Sequence, residues 1–157
     1  MTRPNIFRTE TKPDEDDVAG YRASQAPVGE AAGGKELSVR LFEVPPGESL
    51  CPYHYEYVEE WLVVLDGEVE VRVPSGSEPL SSGDVMCFPP GPDGAHKVST
   101  PASADRPARL MMFSSAAVPS VAVYPDSDKI GVWTSNPDDK FMLRRVDGNV
   151  EYFDGEV

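Results

Sequence analysis

At 157 residues the chain is long enough for one well-buried core and short for two, so a single domain is expected. Its 14 basic residues stand against 27 acidic ones, a net charge of −13, and such a surface repels phosphate backbones and anionic headgroups; neither nucleic acid nor membrane is expected as a partner. Two cysteines make no disulfide framework, "MTRPNIFRTE" has no apolar signal core, and the longest apolar run, "WLVVL", is far short of the roughly 20 residues of a membrane span, so a cytoplasmic, reduced protein is expected.

Sixteen prolines and thirteen glycines interrupt the chain too often for a long helical stripe. Residues 1–34, with the acidic "KPDEDD" and the small-residue run "GEAAGG", read as an irregular arm holding at most a short turn of helix. Strands then follow at "ELSVRLFEV", "YHYEYVEEWLVVL", "EVEVRV", "VMCFP", "AHKVS", "ARLMMFSS" and "SVAVY". The turns between them are "PPGE", "LDGE", "SSGD", "PPGPDG" and "PASADRP". Regular short strands with tight turns give an all-β fold, a sandwich or a barrel, over residues 35–124. Residues 125–157 mix turns with aromatic patches and form a C-terminal extension packed on the barrel or on a partner subunit.

The chemistry concentrates in "CPYHYEYVEEWLVVLDGEVEVRV", residues 51–73. Read as one strand, His54, Glu56 and Glu60 share a face with the apolar Leu62 and Val64, while Tyr53, Tyr55, Tyr57 and Glu59 look the other way. The first face therefore runs into an interior with its polar residues at the mouth. An unpaired buried carboxylate costs several kcal/mol or gives up its charge, so a bound cation is a natural compensation. His96 is the second of only two histidines and follows a Pro and Gly turn, from which neighbouring strands bring it beside His54. Two imidazoles and two carboxylates, His54, Glu56, Glu60 and His96, suit one divalent ion of Fe, Mn, Ni or Zn. The plainer alternative is a pair of ordinary hydrogen-bonded histidines beside a solvated acidic face.

Other residues carry less. Tyr53, Tyr55 and Tyr57 are read as packing residues, and Cys51 and Cys87 as small hydrophobes. Arg40, Arg72 and Arg109 lie in expected strands, where one facing inward would hold a substrate carboxylate, although surface pairing is the commoner fate. The acidic runs "DEDD" and "NPDDK" lack the spaced ligands of a calcium loop. No phosphate-binding Gly loop, nucleophile elbow or CxxC pair is present.

Residues 47–96 with their flanking strands resemble the cupins. The stretch "GESLCPYHYEYVEEWLVVLDG" places Gly47, His54, Glu60 and Gly67 as in the first cupin motif, and "GDVMCFPPGPDGAH" places Gly83, Pro89, Gly91 and His96 as in the second. The resemblance implies a double-stranded β-helix, or jelly-roll barrel, of the small single-domain type. It also implies metal binding by His54, Glu60 and His96, with Glu56 where most cupins carry a second histidine. That exchange leaves two imidazoles and two carboxylates, a set one charge more negative. Spacings from Gly47 to His54 and from Gly91 to His96 are looser than usual, each excess lying in a loop.

The expected function is that of a metal-binding cupin acting on a small organic substrate, of the isomerase, epimerase, dioxygenase or decarboxylase type. The alternative is a non-catalytic module that binds a sugar-like molecule, since one fold serves many functions. A homodimer formed by arm or edge-strand exchange is expected from the same resemblance.

Overall fold

The structure is a computed structural model that describes residues 3–13 and 18–156. The N-terminal segment contributes β1 (Lys12–Pro13), β2 (Ser24–Ala26) and a one-turn helix α1 (Val28–Ala32). The central strands are β3 (Leu37–Val44), β4 (Tyr55–Glu56), β5 (Glu60–Asp66), β6 (Glu68–Val73), β7 (Gly76–Ser81) and β8 (Val85–Phe88). After them come β9 (Lys97–Ser99), β10 (Ala108–Ser115), β11 (Ser120–Tyr124), β12 (Lys129–Trp133), β13 (Phe141–Arg144) and the short α2 (Arg145–Gly148).

One antiparallel sheet has the order β1-β2-β3-β10-β5-β8. Facing it are the sheets β7-β6-β9 and β13-β12-β11-β4, which the isolated bridge His54↔His96, just ahead of β4 and β9, draws together. The two layers make an all-β jelly roll. Alternation in the sequence decides which side chains fill it. In β6 the residues Val69 and Val71 are buried while Glu68, Glu70 and Arg72 face out or stay partly exposed. In β5 Leu62 and Val64 point inward and join Val44, Leu110, Val98 and Phe88 in the main core. Each such side chain contributes about 1.5–3 kcal/mol on burial.

The first sheet is covered on its other face too. Leu41 and the half-buried Val39 and Met111 pack against Ile6, Ala26 and Val28. Arg109 on this face anchors the arm: its Nε donates to the Ile6 carbonyl (2.8 Å), one Nη donates to the Thr9 carbonyl (2.6 Å), and the other pairs with Glu43. The arm is therefore tied to the barrel by directed bonds, and β1 and β2 extend the sheet beyond β3.

The strand expected across residues 53–65 is interrupted. Its first part, β4, pairs with β11, while its second, β5, pairs with β10 and β8. Residues 57–59 cross from one layer to the other. The segment 76–81, whose Gly, Ser and Pro residues look like a turn, forms β7; it is an edge strand, where Pro79 has no inner ladder to break. The C-terminal extension, too, holds regular structure, the paired strands β12 and β13. No helix of the described residues is long and apolar enough to cross a membrane. The "DEDD" run, residues 14–17, lies outside the described residues.

Candidate metal centre

Three local devices bring the candidate ligands together. His54 lies just before β4, and its backbone N–H donates to the His96 carbonyl (3.1 Å) while that of His96 donates to the His54 carbonyl (2.8 Å). His96 itself leaves a single 3-10 turn, Pro92–Gly94, whose tightness depends on glycine: a Cβ at Gly94 would overlap the Pro89 carbonyl oxygen. Glu60 opens β5 on the inner face, opposite Phe88 of β8 and Ser114 of β10. The chain's crossing between layers thus sets Glu60 against two histidines that belong to the other sheet.

His54 Nε2 and His96 Nε2 lie 3.7 and 3.8 Å from the same oxygen, Glu60 Oε2. One ligand atom from each of the three residues falls within 4.8 Å of the others. Donors about 2.1 Å from a common ion stand roughly 3–4 Å apart, so this spacing suits a shared cation. Both rings are locked from behind. His54 Nδ1 donates to the Pro52 carbonyl (3.0 Å) and His96 Nδ1 to the Gly94 carbonyl (2.9 Å), which leaves each Nε2 as the lone-pair nitrogen. Phe88 stacks on the His96 ring at 3.6 Å and Tyr124 stacks on His54 at 5.8 Å, so neither imidazole is free to swing. His96 is fully buried, and its Nε2 has no hydrogen-bond partner among the described residues. A buried acceptor without a partner costs about 1–3 kcal/mol, which a bound cation would remove.

Burial dominates the electrostatics. It holds the His96 imidazole down to about 3, with the adjacent His54 adding to the effect, and it lowers His54 as well. Burial pushes the Glu60 carboxyl up to about 8, helped by the neighbouring Glu56 carboxylate. Glu56 is raised by burial and partly relieved by a hydrogen bond with Ser120. In the absence of a cation burial therefore favours the neutral forms of His54, His96 and Glu60 near neutral pH, and shifts Glu56 in the same direction. A dication favours the reverse for the carboxyls and uses the neutral imidazoles as they stand. Geometry, the locked tautomers and the orphaned Nε2 agree that His54, Glu60 and His96 fit a divalent metal.

These three are the group that the structure brings within ligand distance among the described residues. Glu56 lines the same cavity but stands outside that trio, turned toward Ser120. Glu59 is exposed and accepts a hydrogen bond from Trp61 Nε1 (2.6 Å), so Glu60 rather than Glu59 faces inward. Tyr53 lies beneath the Arg72 guanidinium (3.9 Å) and Tyr55 meets Tyr57 edge-on (5.8 Å); none of the three lines the cavity. Arg72 pairs with Asp126 through two hydrogen bonds. Cys51 sits closer to the chemistry than its residue type suggests, with Sγ 3.5 Å from His54 Nδ1, and burial pushes its thiol up to about 12, so it is neutral. Phe88 and Tyr124 were not anticipated. An apolar strand end and a tyrosine before a proline turn carry no signal of stacking on a histidine 8 or 70 positions away.

The cavity in front of the trio holds about 280 Å³ and is walled by Arg40, Phe42, Leu50, Cys51, Glu56 and Met112, among others. One polar end and apolar sides are the usual make-up of a site for a small organic molecule.

Residues 40–114 match the family profile described as cupin domain. No curated protein matches the chain. Among solved structures, a protein of Acidithiobacillus ferrooxidans described as a candidate sugar phosphate isomerase superposes with a TM-score of 0.80 at 21% identity, covering 96% of this chain and 95% of its own. A cupin-superfamily sugar phosphate isomerase of Silicibacter pomeroyi gives 0.78 at 22%, with 98% of each chain covered. The polyketide cyclase RemF of Streptomyces resistomycificus gives 0.60 at 20%, covering 76% of this chain and 83% of its own. At these identities the likeness is one of fold, and the profile match identifies residues 40–114 of this chain as a cupin domain.

Proposed function

We propose that the chain is a metal-dependent enzyme of the isomerase or epimerase type, acting on a small substrate that carries adjacent hydroxyl and carbonyl oxygens. The observation that carries this reading is the convergence of His54 Nε2, His96 Nε2 and Glu60 Oε2 at the polar end of a small cavity. When bound there, an Fe, Mn, Ni or Zn dication would polarise the substrate oxygens and make the adjoining C–H more acidic. His54, His96 and Glu60 act as the holders of that ion. Glu56, on the same wall and raised by burial, is placed to take a proton from one substrate carbon and return it to the next. Leu50, Phe42 and Met112 exclude water from the remainder of the cavity. Isomerisation is favoured over oxygenation or decarboxylation because both nearly full-length structural relatives are described in terms of sugar phosphate isomerisation.

The test is exchange of solvent deuterium into a panel of aldoses, ketoses and their phosphates by the metal-loaded protein. Deuterium incorporation that vanishes in Glu56→Gln supports the reading. Binding of a panel member at equal affinity to metal-loaded and metal-free protein, without exchange, replaces it with the non-catalytic binding module.

Two further expectations stand as proposals beside it. A homodimer is supported by the exposed Phe141, Met142 and Leu143 on the edge strand β13, and sedimentation at micromolar concentration tests it. A cytoplasmic location is supported by the two free cysteines, and fractionation of the native source tests that.

A further inference from the structure

The residues that line the cavity include two carboxylates, Glu56 and Glu60, and one cation, Arg40. Arg40 is on the inner face of β3, paired in register with Met112, one inward-facing row along from the Ser38, Ser114 and Glu60 row. It differs from five other arginines of the structure. Arg22, Arg72, Arg106, Arg109 and Arg145 each pair with a carboxylate. Arg40 instead donates from Nη1 to Gln25 Oε1 (2.6 Å), a neutral amide, and no carboxylate of the described residues forms an ion pair with it. In a chain of net charge −13 a partly buried guanidinium without a carboxylate is unexpected on composition alone. Desolvating such a group is costly unless an anion meets it.

A second observation points to the same place. A cleft of about 560 Å³ adjoins the cavity and shares two of its wall residues, Ser38 and Arg40. The cleft adds Lys35, Ser115 and Ser120 to the shared pair, with Glu30 its one carboxylate. At the junction, then, stand a guanidinium whose fork has further donors, hydroxyls from two facing strands, and a second cation on the outer side. This is the donor set for a tetrahedral or planar oxyanion.

We infer that Arg40, with the Ser38 and Ser114 hydroxyls, binds an anionic group of the substrate, a phosphate or a carboxylate, while the substrate's hydroxyl or carbonyl oxygens are held at the His54, Glu60 and His96 end. Arg40 is on this account the residue that selects acidic over neutral substrates. The inference rests on the metal-centre reading for the position of the other end of the molecule. Two attachment points of opposite character, in a space of about 280 Å³, orient a short molecule in one direction.

The test uses three probes that share a vicinal diol or hydroxyl pair and differ in the tail: glycerol 3-phosphate, glycerate and glycerol. Each is titrated calorimetrically into the metal-loaded protein, in the wild type, Arg40→Gln and Arg40→Lys. At least one anionic probe is expected to bind about tenfold or more tightly than glycerol, because a charge-assisted bidentate contact is worth at least that factor. The preference should vanish in Arg40→Gln and return in part in Arg40→Lys. Tighter binding of the phosphate alone or of the glycerate alone identifies the tail group; tighter binding of both leaves the oxyanion as the common feature. Anionic probes no tighter than glycerol in the wild type, including no binding by any of the three, overturn the inference. So does a preference that survives Arg40→Gln. Metal content distinguishes the two levels: Arg40→Gln should retain the wild-type metal, whereas a wild type that takes up no metal defeats the metal-centre reading whatever Arg40 does.

Discussion

His54 and His96 exchange backbone hydrogen bonds of 3.1 and 2.8 Å across an isolated bridge, and their rings stand 4.7 Å apart. The pair is thus positioned by the backbone, with the side chains only adjusting within it. Glu60 reaches the pair from the opposite sheet, so the centre forms only when the two layers close.

Replacing His96 by Ala removes the proposed ligand at the fully buried end, along with the ring that Phe88 stacks on. Loss of stoichiometric metal is expected together with a stability loss of about 2–4 kcal/mol from the cavity left behind. His54→Ala, nearer the rim, should lose metal at a smaller cost. Elemental analysis and urea unfolding of the metal-free forms check both.

Glu56→Gln separates the two roles open to that carboxylate. If Glu56 moves a substrate proton and is not a ligand, the variant keeps the wild-type metal content and loses deuterium exchange by about 100-fold or more. A variant that loses the metal instead assigns Glu56 to the ligand set, as the sequence pattern alone had it.

Gly94→Ala should be harmful out of proportion to the single methyl group it adds, because Gly94 is buried. The new Cβ would strike the Pro89 carbonyl, and the turn that must move carries His96 and supplies the carbonyl that holds its Nδ1. Metal affinity is expected to fall by about tenfold or more, in line with losses on disturbing the groups that orient a metal ligand. Competition with a chelator of known affinity measures it.

The metal-free protein should have a bell-shaped stability profile. Glu60 is raised in the folded state from 4.5 to about 8, so its contribution is present below about pH 4.5 and is lost as pH rises through about 8. His96 is depressed from 6.5 to about 3, so its contribution is present above about pH 6.5 and is lost as pH falls through about 3. Glu60→Gln should flatten the alkaline limb and leave the acid limb. Denaturant midpoints of the metal-free wild type and variant between pH 4 and 9 test the two signs.

Metal binding below about pH 8 must expel the Glu60 proton, while the neutral His96 has none to give until far lower pH. Apparent affinity should therefore rise up to about tenfold per pH unit between pH 6 and 7.5, in step with release of about one proton. Calorimetry in two buffers of different ionisation enthalpy counts that proton.

Much of the centre was legible in the sequence, for reasons that differ from residue to residue. His54 and His96 stood out by scarcity, and Glu60 by its place at the head of the "WLVVL" strand. The expectation that one strand's pleat aligns His54 with Glu60 reached the right neighbours by a different route: β4 and β5 belong to opposite layers, and the crossing at residues 57–59 makes the approach. Periodicity cannot report such a crossing, because every residue on either side of it keeps strand-like alternation. Strands 108–115 and 120–124 were readable to the residue, being largely apolar runs bounded by Pro107, Pro119 and Pro125. The stacking of Tyr124 on His54 and the inward aim of Arg40 depend on which strands become neighbours, and single-strand patterns do not contain that.

The most direct measurement is elemental analysis of the protein purified without chelator or histidine tag, as moles of each metal per chain. Close to one equivalent of iron, manganese, nickel or zinc, lost in the His54→Ala and His96→Ala forms, is the predicted result. A chain that takes up none of these ions when they are added, or whose metal content survives both substitutions, would contradict the account.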